Sequence, residues 1–145
     1  MANVSKEEEE LRKLSIEMRY LEQTAETLQQ RISMMNAAMT DLTYANMTLD
    51  ALEKEKENAE LLVPIGSSSY IKVKLANTDK VIVGVGAGVS IEKTVPEAKE
   101  TVKERLSELE KTMTSAQQQF AQVAQRINVG RNRLESLLAT VRGTS

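Results

Sequence analysis

The sequence predicts a mainly α protein, a long antiparallel helical-hairpin coiled coil with two β-hairpins inserted between the helices. Three observations lead there: two apolar seams of matched length, a central stretch where the period falls to two, and a composition poor in large side chains. The 145 residues include three Tyr, one Phe and no Trp, while 28% are charged. Helices that bury a narrow stripe and leave the rest in water suit that mixture better than a broad core. The length is that of one domain, divided into a first helix over residues 5–58, hairpins over 60–94 and a second helix over 95–142.

The first seam runs through Leu11, Leu14, Met18, Leu21, Ala25, Leu28, Ile32, Met35, Met39, Leu42, Asn46 and Leu49, broken only by Asn46. Its steps of three and four average about 3.5, the repeat of a left-handed coiled coil, from which an undistorted helix drifts by roughly 20° per heptad. Ser5 and Glu8 offer a capping box at its start. The second seam comprises Val102, Leu106, Leu109, Met113, Ala116, Phe120, Val123, Ile127, Gly130, Leu134, Leu137 and Val141. Thr94 and Glu97 supply a capping box, Pro96 falls in the first turn, and Gly143 can end the helix. Antiparallel packing sets a positions against d positions, so facing residue numbers sum to a constant, with 148 and 155 both allowed. Volume favours 148, which sets Gly130 against Met18 and Ala25 against Val123, whereas 155 sets Ala25 against Gly130 and leaves a void.

Between the seams Ile71, Val73 and Leu75 alternate with Lys72 and Lys74, and Val81, Val83 and Val85 alternate similarly. This is the pattern of half-buried strands. Hairpins are expected at about residues 60–76 and 80–94, turning at Gly66 to Ser69 and Gly86 to Gly88 and joined by Asn77 to Asp79. Two-stranded ribbons are marginal alone and leave edges unpaired, so they are expected to complete a sheet with other subunits. The residues expected at that interface are Val63, Ile65, Ile71, Val73, Val81, Val83, Val89 and Ile91.

With no Cys and no His the chain lacks a thiol nucleophile, a thiolate metal site and the usual general base, so neither enzyme chemistry nor a metal or cofactor is expected. Gly84 to Gly88 (GVGAG) invites a dinucleotide-binding reading, but Val89 stands where the third glycine belongs and a strand follows instead of a helix. A glycine-rich turn accounts for it. Glu7 to Glu10 and the Glu/Lys mixture at 53–60 point in successive helical directions and fit a solvated surface, not a metal site. Arg126, Arg131, Arg133 and Arg142 could meet phosphates, yet no aromatic residue accompanies them. Placement near a helix C-terminus and opposite the acidic start of the first helix explains them better. Met34 and Met47 lie outside the stripe, where flexible thioethers can be incidental or can suit varied partners. Ile16, Tyr20 and Leu138 widen the apolar stripe toward the free ends.

A net charge of −2 gives no general attraction to nucleic acid or anionic lipid. The acidic N-terminus has no signal-peptide run, and no segment approaches the roughly 18 apolar residues of a membrane span. A cytoplasmic location is expected.

The stretches LVPIGSSSYIKVKL (62–75) and DKVIVGVGAGVSIEK (79–93), followed by the acidic helix start PEAKE (96–100), resemble the α-class subunit of prefoldin. The resemblance spans nearly the whole chain, although SSS stands where many relatives carry glycines. It implies ATP-independent capture of unfolded protein and delivery to a group II chaperonin. It also implies β-class subunits as partners, two α and four β chains sharing a β platform. The family's client contacts lie at the distal helix ends, which here match Leu11, Leu14, Ile16, Met18, Leu134, Leu137, Leu138 and Val141. A structural protein polymerising through its hairpins into a filament or scaffold is the alternative; it uses the same strands in a non-closing arrangement.

Overall fold

The computed structural model describes residues 4–76 and 79–143. In chain order these form α1 (Val4–Lys54), β1 (Glu60–Gly66), β2 (Ser69–Lys74), β3 (Lys80–Gly86), β4 (Val89–Thr94) and α2 (Val95–Gly143). This is the expected architecture of two long helices with two antiparallel β-hairpins between them. The Ser5 side chain and the linker residues Asn77 and Thr78 lie outside the described residues, so the capping box at Ser5 and most of the joining segment do too. The chain divides into two units, one holding α1 up to Ala37 with α2 from Glu110, the other residues 38–109.

In the first unit the helices pack along the two seams, with Met18, Leu21, Leu28, Met35, Met113, Ala116 and Leu137 buried. A Cβ added to Gly130 would overlap Met18 Sδ, which fixes the facing pair and with it the sum of 148. Glycine costs a helix about 1 kcal/mol relative to alanine, yet here its missing side chain is the space that a long thioether occupies. The charges beside the seam obey the same arithmetic. Glu10 with Arg133 and Glu17 with Arg126 flank it on one side, and Glu22 with Arg131 on the other.

In the second unit Leu49, Val95, Ala98 and Val102 form a buried cluster, against which Leu42, Ala45, Leu52, Val81, Val83 and Leu106 pack. The stripe turns here. On α1 it passes through Leu42, Ala45, Leu49 and Leu52, and on α2 two successive steps of four, Ala98 to Val102 to Leu106, depart from the strict heptad like a stutter. Asn46 is thereby moved to the flank, half-buried beside Asp50, Glu53, Lys99 and Lys103 around an open polar groove. Lys99 reaches Asp50 at 2.6 Å and Glu53 at 3.2 Å.

α1 ends at Lys54, short of the expected 58. Glu55, Lys56 and Glu57 have helical propensity, but Asn58 adopts φ 69° and its N–H donates to Leu75 O at 2.9 Å. Hairpin formation thus takes the backbone that a longer helix would have used. α2 starts as its cap predicts: the Glu97 N–H donates to Thr94 Oγ1 (3.3 Å), whose hydroxyl donates to Glu97 Oε1 (2.8 Å).

Both hairpins close through two-residue loops, Ser67–Ser68 and Ala87–Gly88, with positive φ at both residues of each. This is the type I′ geometry that matches strand twist. Each carries a bulge just before the loop, at Ile65 and at Val85. The hairpins form separate two-stranded sheets.

Candidate functional site

Two regions carry candidate roles, the helix ends of the first unit and the hairpins of the second. At the helix ends, the 148 register places Leu11 opposite Leu137 and Leu14 opposite Leu134. Leu137 is only 3% exposed and Met18 5%, while Leu11, Leu14, Leu134, Leu138 and Val141 are half-buried. Ile16 stands apart at 63% exposure, on the outer face of α1 and not in the cluster. The stripe therefore does not widen to include Ile16 or Tyr20, which is also exposed; Leu138 alone of the three joins the buried side.

The cluster is held shut by packing and flanked by ion pairs. Arg133 donates from Nε and Nη2 to Glu10 Oε1 at 3.1 and 2.9 Å, Arg126 meets Glu17 at 3.2 Å, and Arg131 lies 3.9 Å from Glu22. Three of the four arginines considered for phosphate contact thus pair with glutamates of α1, Arg133 alone of them with the acidic run at its start. These groups are about half exposed, so each pair contributes no more than about 1 kcal/mol and fixes side and register more than stability. Val129, exposed beside Gly130, escaped sequence reasoning because it lies off the seam. Met34 and Met47 are exposed as their positions imply.

In the hairpins, Leu61 pairs with Val73 and Val63 with Ile71, so one face carries Leu61, Val63, Ile71 and Val73. Val81 pairs with Lys93 and Val83 with Ile91. Val81 and Val83 are half-buried against the helical cluster of their own chain, and Val73 is half-buried. Val63, Ile65, Ile71, Val89 and Ile91 are exposed. Alternation located the strands but not their most exposed large apolar side chain: Ile82, on the opposite face of β3 from Val81, is 78% exposed, and Leu62 and Tyr70 are exposed as well. The signal was present in the run VIV, where both faces of the strand are apolar.

α2 reaches back to this region twice. Arg105 Nη2 donates to Gly84 O at 2.7 Å, and Lys93 Nζ donates to Thr101 Oγ1 at 3.0 Å. Among the described residues no group of three or more Asp or Glu could hold a metal ion, and no helix is long and apolar enough to cross a membrane. What the arrangement offers chemically is apolar surface and backbone hydrogen-bonding capacity.

Known proteins share this arrangement. The prefoldin-subunit family model matches residues 21–139. The prefoldin subunit alpha of Methanococcoides burtonii is 35% identical over 120 residues, covering 83% of this chain and 87% of that protein. That of Pyrococcus horikoshii is 34% identical over 119 residues, 81% and 80% of the two chains. Among solved structures, filamentous PFD from Methanocaldococcus jannaschii, determined by cryo-EM, superposes with a TM-score of 0.67 at 27% identity, covering 77% of this chain and 92% of that one. Helices that pair around a glycine notch, strand pairs left open between them and a family match from Leu21 almost to the end of α2 lead to one assignment: the chain belongs to the prefoldin family, in its α-subunit class, a family of chaperone subunits.

Proposed function

We propose that the chain is a subunit of an ATP-independent holdase, working in the cytoplasm, that captures unfolded proteins at its helix ends and passes them to a group II chaperonin. Its hairpins join it to β-class subunits in an assembly of two α and four β chains. The observation that carries the capture role is the end cluster of Leu11, Leu14, Leu134, Leu138 and Val141, half-buried in a seam whose flanking ion pairs are exposed. Helix ends lack half their backbone partners, so such a cluster opens to a client at low free-energy cost. One cluster offers only a few kcal/mol of apolar contact, and several arms around one client raise the effective concentration, by roughly 10² or more in combined binding.

The test is light scattering of an aggregating client with the assembled complex. Changing Leu11, Leu14, Ile16, Leu137, Leu138 and Val141 to Ser, with the matching ends of the partner subunit, should reduce protection while assembly mass holds. Undiminished protection would remove the end model. Likeness to a filamentous prefoldin supports a second reading, an open polymer built through the same hairpins. Particle mass decides between them: a closed assembly has one mass at all concentrations, whereas a polymer grows.

A further inference from the structure

The chain holds seven methionines and no cysteine, so an oxidant that attacks sulfur meets thioethers alone. Their settings differ. Met34 and Met47 are exposed, and oxygen added to either enters water. Met18, Met35 and Met113 are buried in the seam. At the sum of 148 Met35 faces Met113, two flexible side chains that can adjust to each other, whereas Met18 faces the bare backbone of Gly130. Its sulfur is the atom that fills the notch: Sδ lies where a Cβ of Gly130 would stand, while Cγ and Cε are each 3.6 Å from that point. An oxygen on that sulfur crowds the α2 backbone. It also lacks a donor, since the Gly130 N–H belongs to α2 and the neighbouring Arg126 and Arg131 are paired with Glu17 and Glu22.

We propose that Met18 is an oxidation site and its contact with Gly130 a latch: a peroxide converts Met18 to the sulfoxide, and the helix ends beyond it then stay open. The inference rests on the capture role proposed for those ends and adds a signal that regulates it. In the reaction with hydrogen peroxide a lone pair of Sδ attacks one peroxide oxygen, and the S–O bond forms as the O–O bond breaks. The departing oxygen keeps the bonding pair, takes the proton of the transferred oxygen and leaves as water, so sulfur is oxidised and the peroxide reduced by two electrons. Position supplies the access. Met18 is the seam methionine nearest the free ends, and Met35 lies about 25 Å further along α1 at 1.5 Å per residue. Helix ends open locally at lower free-energy cost than the middle, so peroxide reaches Met18 before the other two buried thioethers. Reclosing then buries a polar oxygen without a donor, which shifts the local equilibrium toward the open state by roughly tenfold or more. Reduction of the sulfoxide resets the latch.

The test treats the full chain with graded hydrogen peroxide, locates sulfoxides by peptide mass spectrometry and follows amide hydrogen exchange. Met34 and Met47 should react first, then Met18 ahead of Met35 and Met113. Once Met18 is oxidised, exchange at Leu14, Leu134 and Leu137 should quicken by about tenfold, and exchange at Ala116 should not. Met18→Leu conserves volume and removes the sulfur, so it should abolish the response, whereas Met34→Leu with Met47→Leu should retain it. Met18→Gln, polar at the same length, should quicken exchange at the ends without peroxide. Unchanged exchange in a chain carrying Met18 sulfoxide overturns the latch, as does equal acceleration in the Met18→Leu chain or oxidation of Met35 and Met113 before Met18. Light scattering of an aggregating client with the assembled complex separates this inference from the reading beneath it. Faster exchange at the ends with greater protection supports both; faster exchange with no gain in protection leaves the latch standing and removes the capture role.

Discussion

Gly130 and Met18 form the most informative residue pair. Alanine at a helical glycine ordinarily stabilises by about 1 kcal/mol, but here the added methyl meets the Met18 thioether, so the gain is offset by overpacking. Gly130→Ala should leave the melting temperature unchanged or lower, yet in a Met18→Ala background it should raise stability by about 1 kcal/mol or more. Thermal unfolding by circular dichroism of the four combinations measures that coupling. Ser67 and Ser68 hold φ of 49° and 58°, a conformation that costs an L-residue roughly 1 kcal/mol and suits Asn-Gly. Ser67→Asn with Ser68→Gly should stabilise the first hairpin, seen as slower amide exchange at Val63 and Ile71. Heptad spacing made the seam legible, since each of its described members is buried or half-buried. The serine loop was legible as a turn but not as type I′, because two-residue closure depends on pairing across the strands.

Among elements, the helices were easier to read than their junction with the hairpins. The seam is a local repeat, whereas the end of α1 at Lys54 and the turning of the stripe toward Ala45, Ala98 and Val95 depend on where the hairpins dock. Alternation likewise could not say which face of β3 meets its own helices. Val81→Lys with Val83→Lys should therefore lower helix stability in the monomer as well as assembly, because both valines pack on the helical cluster. Ile71→Lys with Ile82→Lys should reduce assembly alone; sedimentation and helicity measured together separate the two effects. At the same junction, hydrogen bonds from Lys99 to Asp50 and then Glu53 raise the lysine pKa above its ordinary 10.5. A group whose folded pKa is raised contributes stability below its unfolded pKa and loses it as pH climbs through the folded value. Stability should thus fall above about pH 10.5, and Lys99→Gln should flatten that alkaline slope. Denaturation midpoints at pH 8 to 11 check it.

At the scale of the whole molecule, one chain carries two kinds of apolar surface, to which the proposed function gives different duties. The hairpin faces are exposed in the isolated chain, and the end cluster is closed in it. Salt offers a way to distinguish the duties. The ion pairs beside the ends are exposed and screened, whereas strand pairing is not ionic. Raising ionic strength from about 0.05 to 0.5 M, which cuts the screening length from roughly 14 to 4 Å, should leave assembly mass unchanged and increase client capture or leave it level. A fall in capture with constant mass would mean that clients are held by charge and not by apolar contact. Family membership was legible from the hairpin sequences. The state of the ends was not, because burial of Leu137 depends on a helix that lies more than a hundred residues away in the chain.

The pairing of Met18 with Gly130 also makes the arm a ruler. Because facing numbers sum to one constant, a heptad inserted into α1 after Leu21 keeps the helices in step only if seven residues are also added to α2 before Ile127. Reach then changes in units of about 10 Å, at 1.5 Å per residue, while the hairpins are untouched. An unmatched insertion leaves one helix overhanging. Relatives that differ in reach should accordingly differ by coupled, equal additions on the two helices, and helix length can be engineered without altering the hairpins.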